Sequence, residues 1–288
     1  MVTKLREGSF FGQSLGCRAV PGITLTDSLY HSELFIPPHE HATAFFDFVV
    51  GGFCSEFVDK RTRNRARSTL AFHPAGEVHH SCWHGSEARC FHIEIAPMLL
   101  DRVRKHSLSF DSPVCFDLGT PNWIARRIYD EFHLRDDLSS LVIEALTLEL
   151  LVDGTRLTSS IASFTPPRWL ERIPDLLRAE FSQSLTLDQI AGSVGVHPSH
   201  LARVFRRVHG CTVGDYVRHL RIEFACDRLR TTDASLVEIA LAAGFSDQSH
   251  FSKTFKRQTG MSPAIFKKSF RARKSYSTEC SDRTRTRW

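Results

Sequence analysis

Short apolar runs alternating with turn residues fill the first hundred positions. Phe45-Phe46-Asp47-Phe48-Val49-Val50 stands before Gly51-Gly52, Leu70-Ala71-Phe72 stands before Pro74, and Phe91, Ile93 and Ile95 follow at period two. Runs of this length, broken by Gly, Pro, Asp and Asn, predict a β-sandwich or small barrel over residues 15–96. From Pro97 the apolar period becomes helical. Trp123, Ile124, Arg127, Ile128, Glu131 and Phe132 fit one helix, and residues 141–152 fit a second whose apolar face is Leu141, Ala145, Leu148 and Leu151. Such a pair packs beside a barrel or against a second subunit. Residues 154–167, GTRLTSSIASFTPP, are Ser/Thr-rich, nearly uncharged and end in two prolines, which predicts a linker. Helical pattern resumes at Trp169 and runs to about Phe270, and the last 18 residues have almost no apolar content, which predicts a disordered basic tail. The organisation expected is an α+β chain with a β-barrel and flanking helices at 1–153, a linker at 154–167, an all-α domain at 168–270 and a tail at 271–288.

The helical half repeats itself. LDQIAGSVGVHPSHLARVFRRVHGCTV at 187–213 and LVEIALAAGFSDQSHFSKTFKRQTGMSP at 236–263 align Ile190-Ala191 with Ile239-Ala240, Gly195 with Gly244, Leu201 with Phe251, Phe205 with Phe255 and Gly210 with Gly260. Each copy reads as a short helix, a glycine turn and a second helix, which is a helix-turn-helix. Thr186 is placed to cap the first helix of the first copy, and Asp247 the second helix of the second. On the first copy's second helix, Leu201, Val204, Phe205 and Val208 fall at i, i+3, i+4 and i+7 and make a core face. Ser199, Ala202, Arg203, Arg206 and Arg207 are left outside. The second copy turns Phe251 and Phe255 inward and leaves Gln248, Ser249, Ser252, Lys253, Lys256 and Arg257 outside. Gln pairs with adenine, Lys and Arg with guanine or phosphate, and Ser with either, so these are residues suited to a DNA major groove. Between the copies, residues 215–229 carry helical apolar spacing through Val217, Leu220, Phe224 and Leu229, a spacer of roughly 22 Å.

The charge divides along the same line. From Arg168 to Trp288 there are 21 Lys+Arg against 12 Asp+Glu, and the preceding 167 residues hold 16 against 20. Only the helical half is therefore expected to meet a polyanion such as DNA. The eight cysteines include no C-x-x-C pair and read as buried thiols in a reducing cytosol. With no signal-length apolar run at the N-terminus and no stretch long enough to span a bilayer, the expectation is a soluble cytoplasmic protein with no membrane partner.

At these residues the helical half resembles the AraC/XylS family of transcription regulators. RIEFACDRLRTTDASLVEIALAAGFSDQSHFSKTFKRQTGMSPAIFKK, from Arg221 to Lys268, is similar to the family signature throughout, ending in the G-x-S-P run of Gly260, Met261, Ser262 and Pro263. The resemblance covers about residues 168–270 and implies a seven-helix DNA-binding domain, an activator, promoter double-stranded DNA and RNA polymerase as partners, and groove-facing residues at Ser199, Ala202 and Arg203 in the first reader and Gln248, Ser252 and Lys253 in the second. Ala202 and Ser199 are small, so readout by the first reader is expected to rest on Arg203, with the second supplying more of the specificity.

In the first half, His39-Glu40-His41 puts two imidazoles on one strand face, and His79 closes Pro74-Ala75-Gly76-Glu77-Val78-His79. The pattern resembles the two cupin motifs over about residues 30–96, whose three histidines converge inside a barrel. Three imidazoles with open positions would suit Zn, Fe, Ni or Mn. The carboxylate that normally follows is replaced by Phe45 and Phe46, with Asp47 reachable only after a bulge or shift, so His39, His41 and His79 are read as structural or ligand-contacting, with no metal, no cofactor and no catalytic residue assigned. Arg61, Arg63, Arg65 and Arg67 alternate strictly. Turned inward they could hold an acidic effector, but four unpaired buried guanidiniums would be prohibitive, so an outward, solvated row is expected.

The resulting expectation is a sequence-specific DNA-binding transcription regulator, not an enzyme, with a cupin-like half that senses a small molecule or forms a homodimer through residues 120–152. The alternatives are a metal-dependent cupin enzyme fused to a DNA-binding domain, and an interaction module governed by a protein partner.

Overall fold

The computed structural model describes residues 2–31, 33–58, 61–105, 112–117, 119–134, 136–162, 164–259 and 261–268. The tail at 271–288 and Gly260 lie outside them. Two compact units make up the chain, one running to Pro166 and the other from Pro167 onward apart from Arg207–Cys211.

The first unit is a curled half-barrel of nine strands among the described residues, in the order β1 (Thr3–Leu5), β4 (Leu34–His41), β8 (His79–Ile95), β5 (Ala44–Val58), β7 (Leu70–His73), β9 (Val114–Phe116). A further pair, β2 (Gln13–Val20) and β3 (Ile23–Tyr30), joins β8 through β3, and β6 (Arg61–Ala66) lies against β5. Strands β5 and β8 are long because they pair with each other along both halves of their length. Gly51-Gly52 therefore does not end a strand. It forms register shifts that bend β5 before it continues to Val58. Gly52 has φ +83°, and a Cβ there would lie 2.6 Å from Ala88, so only glycine fits the bend.

Alternation along β5 decides what each face holds. Ala44, Phe46 and Phe48 join Leu70, Phe72, Phe91, Ile93 and Ile95 in one core, covered by α1 (Pro97–Arg104), α2 (Thr120–Leu134) and α3 (Ser139–Ala162). Phe45 and Asp47 point the other way, into the half-barrel. Fully burying each of these phenylalanines stabilises by about 1.5–3 kcal/mol.

Two expectations for α3 need correction. Its buried face is Ile143, Leu146, Leu150 and Leu151, whereas Leu141 is exposed. The helix also runs through most of the expected linker, to Ala162. The Thr155 hydroxyl donates to the Leu151 carbonyl and Thr158 to Gly154 at 2.8 Å, so hydroxyls that composition assigns to a linker bond back along the helix instead. The described cysteines are free, and Cys17 is exposed instead of buried.

The second unit is helical: α4 (Arg172–Glu180), α5 (Leu187–Ser193), α6 (Pro198–His209), α7 (Val213–Thr231), α8 (Leu236–Ala242), α9 (Gln248–Thr259) and a short helical segment at 263–268. Helix α7 starts earlier and ends later than its apolar spacing predicts, and at 19 residues spans roughly 28 Å. Its buried residues are Val213, Tyr216, Leu220, Ile222, Ala225, Cys226 and Leu229. Tyr216 meets Phe205 of α6 edge-on at 5.2 Å, while Ile222, Ala225, Cys226 and Leu229 share a core with Phe251 and Phe255 of α9. No described helix is long and apolar enough to cross a membrane.

Candidate functional site

Both helix-turn-helix copies begin with the same local device. Thr186 and Gln189 form a reciprocal capping box on α5, and Ser235 and Glu238 form one on α8. Each box satisfies two amide groups that a helix start leaves open. On α9 the Asp247 carboxylate accepts from the His250 amide at 2.8 Å, as its position predicts. Leu201 and Phe205 on α6, and Phe251 and Phe255 on α9, are fully buried.

The opposite faces carry the residues expected to meet DNA. Ser199, Arg203 and Arg206 on α6 are exposed and Ala202 is half-buried; Gln248, Ser249, Lys253 and Arg257 on α9 are exposed and Ser252 is half-buried. Two histidines not anticipated from the sequence modify the first face. The Ser199 hydroxyl lies 2.7 Å from His197 Nδ1, and Arg203 Nη2 lies 3.2 Å from His200 Nδ1. The first reader's two polar groups are thus engaged with neighbours on their own chain.

Arg221 was missed as well. Its guanidinium donates to the carbonyls of Phe181 at 2.8 Å, Gln183 at 2.9 Å and Gly244 at 2.6 Å, tying the end of α4 to the turn of the second helix-turn-helix. That turn accepts only glycine. Gly244 has φ +82°, and a Cβ would sit 2.3 Å from the Ser182 carbonyl oxygen. Gly244→Ala is expected to cost about 1–3 kcal/mol of stability in this unit, from the φ and the backbone overlap together; urea unfolding measures it, and an unchanged midpoint would contradict the assigned turn.

The second site is the interior of the half-barrel. His39 and His41 on β4 meet His79 at the start of β8, with ligand atoms of the three imidazoles all within 4.8 Å of one another. Their convergence follows from register, since β4 pairs His39 with His79. The cavity they line holds about 30 Å³ of water-accessible space and is walled by Phe10, Tyr30, Phe45, Trp83 and His92. Phe10 stacks on His92 at 3.6 Å, and Tyr30 stacks on Trp83 at 4.3 Å. Burial, reinforced by neighbouring imidazoles, depresses His41 to about 2 and His79 to about 3, and burial takes His92 to about 3, so these rings are neutral at pH 7. The three-histidine set fits the metal centre that a cupin-like fold implies. The accompanying carboxylate does not, because Phe45 and Phe46 occupy its place and Asp47 is turned to Arg65.

Arg65 overturns the solvated arginine row. It is fully buried, with Nη2 2.5 Å from Asp47 Oδ1 and Nη1 2.7 Å from Asp47 Oδ2 and 3.0 Å from Glu56 Oε1. Arg63 is half-buried and donates to the Pro113 carbonyl, Arg67 is exposed beyond the strand, and the side chain of Arg61 lies outside the described residues. Four unpaired guanidiniums would indeed be prohibitive, but one guanidinium whose two Nη atoms face two carboxylates is charge-balanced, although its Nε is buried without a hydrogen-bond partner. His73 completes the network, with Nε2 3.3 Å from Glu56 and Nδ1 2.6 Å from Glu77. Burial would lower His73, yet Glu56 and Asp47 outweigh it and hold the ring protonated. Burial likewise opposes ionisation of Asp47 and Glu56, but Arg65 and His73 hold both below the usual carboxylate range, Glu56 at about 2. The only sequence signals for this network are the i, i+4 spacing of His73 and Glu77 and the period-two spacing of Cys54, Glu56 and Val58, and neither names a partner.

Comparison with known proteins bears on the helical unit. Residues 190–269 match the family described as Helix-turn-helix domain. The probable transcription factor PqrA of Proteus vulgaris is 36% identical over 100 residues, covering 35% of this chain and 78% of that protein. The HTH-type transcriptional activator AarP of Providencia stuartii is 38% identical over 91 residues, covering 32% of this chain and 67% of that protein. Among solved structures, an AraC-type DNA-binding-domain-containing transcriptional regulator from Chromobacterium violaceum is 32% identical, covering 36% of this chain and 92% of that one, with a TM-score of 0.34.

Proposed function

The chain belongs to the AraC/XylS family of transcription regulators and is a DNA-binding regulator, and from that premise we propose that it is a cytoplasmic activator of promoters whose half-barrel receives the regulating signal. One observation carries the DNA-reading assignment: two capped helix-turn-helix units, each with a buried Leu/Phe or Phe/Phe anchor, leave their polar and cationic side chains on the outer face of α6 and α9. In this reading α6 and α9 enter successive major-groove segments separated by α7, and Arg206 and Arg257 grip phosphate. Ser199, Ala202 and Arg203 read the first segment, and Gln248, Ser249, Ser252 and Lys253 the second. The local engagement of Ser199 and Arg203 supports unequal readers, with α9 carrying more of the sequence preference.

Signal reception by the half-barrel is supported by its partly open cavity and the unpartnered polar atoms around it, among them Glu56 Oε2 and the Nδ1 atoms of His41 and His92. A homodimer is supported by the exposed apolar positions Leu138, Leu141 and Ala145, which the core of the first unit leaves uncovered. RNA polymerase is the partner an activator requires. The buried groups assigned here bind and position, and no enzymatic step is proposed for them.

The test is promoter binding by fluorescence anisotropy on DNA found by genome-wide mapping. Arg203→Ala and Lys253→Ala are each expected to weaken specific binding by about 1–3 kcal/mol, and Arg257→Ala to reduce the slope of log affinity against log salt by about one. Wild-type affinity in both of the first two variants would sink the assigned faces.

A further inference from the structure

On the outer face of the half-barrel, turned away from its cavity, three side chains of different chemistry meet. Ser81 and Trp83 of β8 line the cavity, so alternation turns Cys82 and His84 outward, two residues apart on one strand face. Register brings the third member. Strand β4 pairs antiparallel with β8 and sets Leu34 opposite Trp83, which places Glu33, in the turn just before β4, alongside His84. His84 Nδ1 lies 3.2 Å from Glu33 Oε2, and ligand atoms of Glu33, Cys82 and His84 all lie within 4.8 Å of one another. Glu33 holds φ +56°, a left-handed turn position that glycine or asparagine fills at lower cost.

The hydrogen bonds around His84 leave this place short of a cation. The Ser55 hydroxyl donates its one proton to Asn64 Oδ1 at 3.2 Å, so in its 3.3 Å contact with His84 Nε2 the ring is the donor. Nδ1 of the neutral ring then carries the lone pair and faces the Glu33 carboxylate, acceptor against acceptor. A positive charge between them removes the conflict. A second ring proton would do so and leave Cys82 without a part, whereas a divalent metal ion uses all three side chains. We propose that Glu33, Cys82 and His84 bind a borderline-soft divalent ion of the Zn²⁺ class on the outer face of the half-barrel, with water in the fourth position. Thiolate, imidazole and carboxylate are zinc's ligand set, and Ser55 holds the nitrogen that does not ligate, which fixes the ring's tautomer. Tetrahedral zinc sets such atoms roughly 3.4–3.6 Å apart, so the Glu33 and His84 pair is already close enough and the Cys82 sulfur has at most roughly 1.3 Å to close. Side-chain exposure of 33% at His84 and 70% at Glu33 gives the ion a way in from solvent. As the metal–sulfur bond forms, the Cys82 thiol releases its proton to water. The inference is independent of DNA reading and of signal reception in the cavity.

Untagged full chain, stripped with chelator and kept reduced with a phosphine, is titrated with Co²⁺. Its bond to a thiolate gives a near-ultraviolet charge-transfer band that imidazole and carboxylate ligands do not give. One equivalent of Co²⁺ is expected to produce the band, and added Zn²⁺ to bleach it. Cys82→Ser should abolish the band, and Glu33→Gln and His84→Gln should each weaken binding at least tenfold. Ser55→Ala, which removes the partner of His84 Nε2, should weaken it about tenfold. Cys17→Ser should leave it unchanged, because Cys17 lies on another strand, away from this site. Glu33 is exposed, so Glu33→Gln keeps the test decisive if a strand variant unfolds. No band at one equivalent, a band that survives Cys82→Ser, a band lost in Cys17→Ser, or undiminished affinity in Glu33→Gln overturns the proposal. The first of these outcomes would leave only an ion pair between a protonated His84 and Glu33.

Discussion

Arg65→Met is expected to destabilise the half-barrel by about 3–5 kcal/mol, enough to melt most of a unit of ordinary stability. The side chain donates to Asp47 through both Nη atoms and meets Glu56 as well, and all three are buried. Methionine fills the volume and leaves two carboxylates in a medium that cannot solvate them. The cost comes from the abandoned partners, not from the net worth of the ion pairs, and this can be checked directly. In the triple variant Arg65→Met, Asp47→Asn, Glu56→Gln the abandoned charges are gone, so most of the loss should be recovered. Thermal unfolding of the full chain, with hydrogen exchange followed in peptides from β5 and β8, reads both results. A triple variant no more stable than Arg65→Met would show that the loss is one of packing.

Lowering the pH from 7 to 5 is expected to take a net of roughly 5 kcal/mol from the same unit. His41, His79 and His92 stay neutral in the fold, at about 2, about 3 and about 3, and titrate near 6.5 once unfolded. Over this interval the unfolded chain takes up protons that the folded chain refuses, so stability falls with pH by about 2 kcal/mol for each ring. His73 acts in the opposite sense. Its folded state is held protonated, so its contribution is full below 6.5 and is lost as pH rises, which returns about 1 kcal/mol on acidification. Asp47 and Glu56 are held below their unfolded values, so their contribution is present above about pH 4 and is lost only under stronger acid. In the helical unit His219, half-buried on α7, is lowered by desolvation to about 3, so its loss over the interval is near 2 kcal/mol. Hydrogen exchange at pH 7 and pH 5, corrected for intrinsic rates, should show β5 and β8 losing more protection than α5 to α9. Equal losses would contradict the buried neutral imidazoles.

The helical unit was legible because its signals are local. A capping residue, a glycine turn and an apolar pair four apart all act within one or two helical turns, so Thr186, Gly195, Leu201, Phe205, Asp247, Phe251 and Phe255 could be placed by counting. Even there the tertiary contacts escaped. Arg221 looks like any other basic residue on a helix until the carbonyls of Phe181, Gln183 and Gly244 converge on it. In the half-barrel the alternation along β5 and the shared face of His39 and His41 were readable, because strand periodicity fixes which residues share a face, while the approach of His79 was expected only from the resemblance to the cupin motifs. Glu56 and His73 were not read as part of a network, since each belongs to it through strands distant in sequence. The Gly51-Gly52 bend and the extension of α3 show a further limit. Glycine and hydroxyl residues allow a break without requiring one, and the pairing of β5 with β8 and the packing of Leu157 in the core favour continuity.

By itself the sequence determined most of the elements, the duplicated helix-turn-helix pattern and the charge contrast between the halves, which follow from interactions between near neighbours or from composition, while the signature from Arg221 to Lys268 carried the resemblance to the family. Only the tertiary structure decided the fate of charge. Whether Arg65 faces water or lies buried depends on whether Asp47 and Glu56 arrive beside it, because a charge enters a low-dielectric interior only when its partners, remote in the chain, are folded into place with it.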